Sequence, residues 1–155
     1  MKTLNSTCFA IILSCKKNAE KIKAQNLDGF PFDYSYFIGN DRPLTESINK
    51  NIKIAKCKDN YESLIFKTYE SIKWVDENIE YDYILKTDDD IVFDNHKIEK
   101  LYKKIHSNNI DYTGYFNEDP NSLYAYYSGY HFDKCEDPEI NKKPVYCPSN
   151  NSYAS

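Results

Sequence analysis

The sequence predicts an α/β protein, a three-layer sandwich in which a mainly parallel central sheet is flanked by helices. Three observations carry that reading. Residues Thr7 to Ser14 form an almost unbroken apolar run of the kind found in strands covered on both faces. Short apolar segments then alternate with stretches of helical periodicity. No internal repeat interrupts this order, so right-handed crossovers between parallel strands are the expected connections.

After the first strand, Lys16 to Gln25 is rich in alanine and lysine and reads as a helix closing near Asp28-Gly29. Pro31 precedes a second strand, Tyr34 to Gly39, and Ile52 to Lys56 makes a third short apolar segment. From Tyr61 the apolar positions recur at Leu64, Ile65, Thr68, Tyr69, Ile72 and Val75, one face of a helix. Asp59 and Glu62 stand at capping-box spacing before it. Tyr81 to Thr87 reads as the next strand, and Ile91-Val92-Phe93 resumes apolar character after three aspartates. A helix from about His96 to His106 turns Ile98, Leu101, Tyr102 and Ile105 inward, and Asp111 to Phe116 is a candidate last strand. The expectation is therefore one domain over 1–155, its ordered α/β part about 7–116 and its remainder, 117–155, loop-rich.

A chain of 155 residues can bury one real core. The formal charge of -4 is spread along it with no long basic run, which disfavours nucleic acid as a partner. Fifteen tyrosines, many within apolar stretches, suit a pocket wall as well as a core. The five cysteines show no C-x-x-C spacing, so no zinc ribbon or redox motif is read. The apolar run Cys8 to Leu13 is far shorter than the ~20 residues of a membrane span, and no cleavage site follows it. These features predict a cytoplasmic protein in a reducing compartment, with the sequons at Asn5 and Asn150 unused.

The chemistry centres on Asp88-Asp89-Asp90. Three adjacent carboxylates repel one another, and a cation relieves that repulsion. On an extended chain Asp88 and Asp90 share one face while Asp89 points away. Hard oxygen ligands suit Mn²⁺ or Mg²⁺, with open positions left for diphosphate oxygens. Ligands of parallel α/β sheets bind beyond the carboxyl ends of the strands, where these aspartates lie. The plainer reading is a solvated acidic turn, and the flanking apolar segments Tyr83-Ile84-Leu85 and Ile91-Val92-Phe93 weigh against it. A calcium loop is disfavoured by the lack of a glycine and closing glutamate at the right spacing.

The stretch from Tyr83 to Phe93 resembles the "ILKTDDDVFV" signature of the β-1,3-galactosyltransferase family and its Fringe-like relatives. Asp59 to Leu64, with Lys67-Thr68 and Trp74, is similar to that family's "DSYENLTLKT...W" helix at the expected distance upstream. Pro144 to Cys147 through Ser155 is a weaker echo of "YPPYCSGGGYVLS", with its glycines replaced. The resemblance covers about residues 7 to 116 and implies a GT-A-like fold, a Mn²⁺-dependent site and inverting transfer of a hexose from a UDP-sugar to an acceptor hydroxyl. By similarity Asp90 and Asp88 would hold the metal, and Ser14, Asp59, Lys67, Asp88 and Asp89 would contribute to the donor site. The plainer readings are a strand terminus for Ser14, a helix cap for Asp59 and a solvated lysine for Lys67.

Two departures accompany these matches. The family's acceptor half, whose "EDV" motif carries the general base, has no counterpart before Ser155, and Glu136-Asp137 precede Tyr146-Cys147 and so fall in the wrong order. No catalytic base is assigned, and the acceptor, whether glycan, protein or small molecule, is left open. Lysines Lys16, Lys17 and Lys21 stand where the family has arginines, and His131 reads as structural rather than metal-binding. A family member that binds a nucleotide sugar without transferring it is the alternative expectation. Asp88-x-Asp90 also resembles the nucleophile motif of haloacid-dehalogenase-like phosphatases, but that motif follows the first strand of its domain.

Overall fold

A computed structural model describes residues 8–41 and 51–114. The chain divides into two units, Met1–Ile110 and Asp111–Ser155. Of the second unit only residues 111–114 are described. The segments carrying His131, Glu136-Asp137 and Pro144 to Ser155 lie outside the described residues, as does the end of the candidate strand at 111–116, whose described part is irregular.

The first unit is an α/β layer structure. Its strands are β1 (Cys8–Leu13), β2 (Asp33–Ile38), β3 (Ile52–Ile54) and β4 (Tyr83–Asp88). Its helices are α1 (Ala19–Ala24), α2 (Leu64–Asn78) and α3 (Asn95–Ser107), with a 3₁₀ turn at Lys16–Asn18 before α1. The sheet has the order β3-β2-β1-β4, and every neighbouring pair is parallel. β1 is central, in register with Asp33 to Phe37 on one side and Tyr83 to Asp88 on the other. All six of its residues are buried, which is why it reads as an unbroken apolar run.

Alternation along β1 feeds two cores. Phe9, Ile11 and Leu13 join Phe37 and Val75 beneath α2, with Leu64 and Trp74 of that helix packed against them. Ile12 faces the opposite side with Ile22 of α1, Leu27, Tyr36 and Ile38, where Phe30 and Phe93 close the edge. α3 is held by Tyr102, whose ring meets Phe32 and Tyr83 edge-on, and is capped by Asp94, which accepts from the Lys97 N–H at 3.1 Å. Because the strands are parallel, Leu13, Ile38, Ile54 and Asp88 all end at one edge. Among the described residues no helix is long and apolar enough to cross a membrane.

Four local expectations are corrected. The first helix is split, its opening turn tightened into the 3₁₀ form by the Asn18 N–H bonding Cys15 O at 2.9 Å. α2 buries Lys67, Ser71 and Val75, whereas Ile65, Phe66 and Tyr69 are 72%, 61% and 62% exposed. The helix carries two apolar stripes, and periodicity cannot say which one turns inward. Asp59 and Glu62 do not form a capping box: α2 starts from Ser63 without a side-chain cap, and Asn60 accepts the Ser63 N–H at 3.1 Å. Beyond the aspartates only Phe93 packs inward, its ring 5.0 Å from Phe30, while Val92 is 96% exposed.

Gly39, just past β2, lies against the backbone of 58–59, and a Cβ there would stand 2.5 Å from the Asp59 nitrogen and 2.6 Å from Lys58 C. Only glycine permits that approach without moving one chain. Gly39→Ala is expected to cost about 1–3 kcal/mol through the forced backbone shift, read as a lower denaturant midpoint with an unchanged slope.

Candidate functional site

At the carboxyl edge of the sheet the loops after β1, β2 and β3 converge on one carboxylate. Asp59 Oδ1 accepts from the Gly39 N–H at 2.6 Å and from Lys67 Nζ at 2.8 Å. Its Oδ2 accepts from the Lys16 N–H at 2.6 Å. Lys67 Nζ also donates to Ser14 O at 2.6 Å, which ties the end of β1 to α2. The two side chains are 3% and 4% exposed, so this is a buried ion pair with its remaining valences met by backbone. Burial raises the Asp59 pKa, but the Lys16 and Gly39 N–H groups and the Lys67 charge outweigh it and hold the carboxyl below its usual range. The Asp59 N–H in turn donates to Asp41 Oδ1 at 2.9 Å.

Beside this pair stands the aspartate triplet. Asp88 is the last residue of β4, and Asp89 and Asp90 form the turn that follows. Asp89 is buried, and its Oδ2 accepts both the Ser14 hydroxyl and, at 2.8 Å, Asn18 Nδ2. Its two neighbours are exposed. Asp88 Oδ1 meets Lys86 Nζ at 3.3 Å, a partly solvated pair of the kind contributing little to stability. Asp90 has no hydrogen bond or ion pair among the described residues. A second tether holds the far side of the turn: Gln25 Nε2 donates to Ile91 O at 3.0 Å, and Tyr36 OH donates to Gln25 Oε1 at 2.5 Å. Burial pushes the Tyr36 phenol up to about 12, with Tyr34 and Asp89 adding to the shift, so it remains a donor.

Ser14, Asp59, Lys67 and Asp89 therefore share one polar cluster, and Asp88 and Asp90 lie on its solvent side. Asn18, Gln25, Tyr36 and Gly39 belong to the same construction and went unread in the sequence. Gly39 closing an apolar strand carried a usable signal, whereas Asn18 and Gln25 are ordinary helix-edge residues whose partners in the aspartate turn lie more than 60 positions away. Among the described residues no group of three or more acidic, histidine or cysteine side chains is gathered as a metal cage. Two exposed hard-oxygen donors beside an anchored third suit a divalent cation that keeps several sites for phosphate and water.

A family model described as Galactosyltransferase matches residues 45–148, about two thirds of the chain. The chain belongs to the galactosyltransferase family. The match takes in β3, α2, β4 and the aspartate turn, and it continues beyond the described residues. Membership supports glycosyl transfer as the general activity and implies a nucleotide-sugar donor. No curated protein and no solved structure matches this galactosyltransferase-family chain.

Removing either partner of the buried pair leaves the other charge without its counter-ion, so Lys67→Met and Asp59→Asn are each expected to cost about 3–5 kcal/mol at pH 7 by chemical unfolding. The Asp59 contribution has a defined sign with pH. Because its folded pKa is depressed, the stabilisation is complete above the unfolded pKa of about 3.9 and is lost as pH falls through the folded value. Unfolding curves between pH 7 and 3 should show the gap between wild type and Asp59→Asn constant at first and narrowing only below about pH 4. A gap independent of pH would contradict the ion-pair account.

Proposed function

We propose that the chain is a metal-dependent glycosyltransferase that binds a UDP-sugar at the carboxyl edge of the sheet and transfers a hexose to an acceptor hydroxyl with inversion. One observation carries the reading: a galactosyltransferase-family chain ends β4 in three aspartates of which one is buried and anchored and two are exposed. Asp90 and Asp88 would hold Mn²⁺ or Mg²⁺, and Asp90, with no partner among the described residues, is the first candidate. When bound, the cation would neutralise charge developing on the departing diphosphate.

The chain's own groups divide the remaining work. Ser14 and Asp89 would line the floor under the nucleoside, Asp89 with one oxygen already committed to Ser14 and Asn18. Asp59 and Lys67 satisfy one another and three backbone groups, so their contribution to the donor site is to fix the ends of β1 and β2. Lys86, exposed and paired with Asp88, would be placed at the same edge to offer its ammonium to a phosphate oxygen of the donor.

Calorimetric titration of UDP into the full chain, with and without Mn²⁺, tests this directly. Metal-dependent binding is expected, and Asp90→Ala should weaken it by at least about tenfold. Wild-type protein that fails to bind UDP with Mn²⁺ at millimolar concentration would sink the assignment. Binding without transfer or donor hydrolysis would instead identify a nucleotide-sugar-binding member of the family.

A further inference from the structure

The aspartate turn is tethered at both ends by one segment of chain, the 3₁₀ turn and α1. Asn18, before the start of α1, donates through Nδ2 to Asp89 Oδ2 at 2.8 Å. Gln25, at the end of α1, donates through Nε2 to Ile91 O at 3.0 Å, and its own carbonyl is fixed by the buried Tyr36 hydroxyl at 2.5 Å. Between these two points lies Asp90, which is exposed, as is Ile91. The first tether is doubled by the Ser14 hydroxyl on the same carboxylate oxygen, and the chain downstream is caught by Phe93 on Phe30 and by Asn95 Nδ2 on Asp28 O at 3.2 Å.

We infer that Asn18 and Gln25 are positioning residues: a two-point clamp from the segment after β1 sets the Asp89-Asp90-Ile91 backbone and so aims the Asp90 carboxylate at its cation. This rests on the donor reading proposed above and goes beyond it, because it gives a role to two residues which that reading leaves out. Orientation of a hard-cation ligand by hydrogen bonds one shell out governs affinity, since an unfixed carboxylate must be ordered each time the cation binds. Among the described residues Asp90 has no partner of its own, so its aim depends on the backbone on either side of it. The two tethers use neutral amides, which hold the turn without adding a charge that would compete with the cation or repel the phosphates.

Two measurements on the full chain decide the matter. Backbone ¹⁵N order parameters read the clamp without any ligand: in Asn18→Ala and in Gln25→Ala those of residues 89–91 should fall from the rigid range of about 0.85 towards about 0.6, while those of β1 and α2 keep their values. Asn18→Asp, the same shape with the donor replaced by a second carboxylate, should be as mobile or more so, and the paired exchange Asn18→Asp with Asp89→Asn should restore order by reversing the bond. Calorimetry with UDP and Mn²⁺ reads the consequence, an affinity about tenfold weaker in Asn18→Ala and in Gln25→Ala. Unchanged order parameters in both variants would overturn the clamp. Lower order parameters with wild-type affinity would overturn the positioning role alone. Wild-type protein without UDP–Mn²⁺ binding would withdraw the donor reading and the positioning role together, while the order parameters would still judge the clamp. If Asn18→Ala does not fold, Gln25→Ala reads the second tether on its own.

Discussion

The buried pair of Asp59 and Lys67 fixes the carboxyl edge of the sheet. Parallel strands end in loops whose backbone groups have left the ladder, and each such group must find a partner or meet water. Here a single carboxylate serves the N–H groups that follow β1 and β2, and a single ammonium serves the Ser14 carbonyl just past β1 and the carboxylate itself. Neither charge could be buried alone, since desolvation costs several kcal/mol per ion even after relaxation. Together they lock three loops and one helix. Gly39 is part of the same lock, because its missing Cβ is what lets β2 close on the 58–59 backbone.

That rigid floor gives the three aspartates different fates. Asp89 lies over the floor and is consumed by Ser14 and Asn18, so it anchors the turn. Asp88 ends the strand in a solvated pair with Lys86, and Asp90 is exposed beyond it. Adjacent carboxylates would otherwise crowd like charge into one place. Distributing them between an inward anchor and outward, exposed groups relieves part of the repulsion.

The layer order and the three aspartates were legible because they rest on local signals: a fully apolar strand, an alternation of strand and helix, a charged triplet ending an apolar run. The parallel sheet follows from these, and β1 to β4 lie where the apolar runs put them to within a few residues. What was illegible is what depends on distant partners. Asp59 has the type and spacing of a helix cap, and only the arrival of Gly39 and Lys16 makes it a hub. Asn18 and Gln25 are unremarkable until the turn after β4 folds beneath them. Ile91 and Val92 read as core because they are apolar, yet they are spent on reaching the exposed side of the turn.

The rotation of α2 shows the site overruling hydrophobic economy. At 100° per residue, Ile65, Tyr69 and Ile72 lie roughly opposite Lys67 on the helix. Turning that stripe inward would exchange the burial of Leu64, Trp74 and Val75 for that of Ile65, Tyr69 and Ile72, three apolar side chains for three, so the net gain stays within the roughly 1.5–3 kcal/mol of a single side chain. It would also carry Lys67 to the solvent side and leave Asp59 buried without a cation, at a cost of about 3–5 kcal/mol. The helix instead buries Lys67, Ser71 and Val75, and the small Ser71, its hydroxyl returned to Lys67 O at 2.6 Å, lets the backbone lie close to the sheet. Leu64 and Trp74 recover part of the apolar contact from the flanks. The orientation of the longest helix is thus set by one charge that must reach its partner, and the exposed stripe on its far side is the consequence.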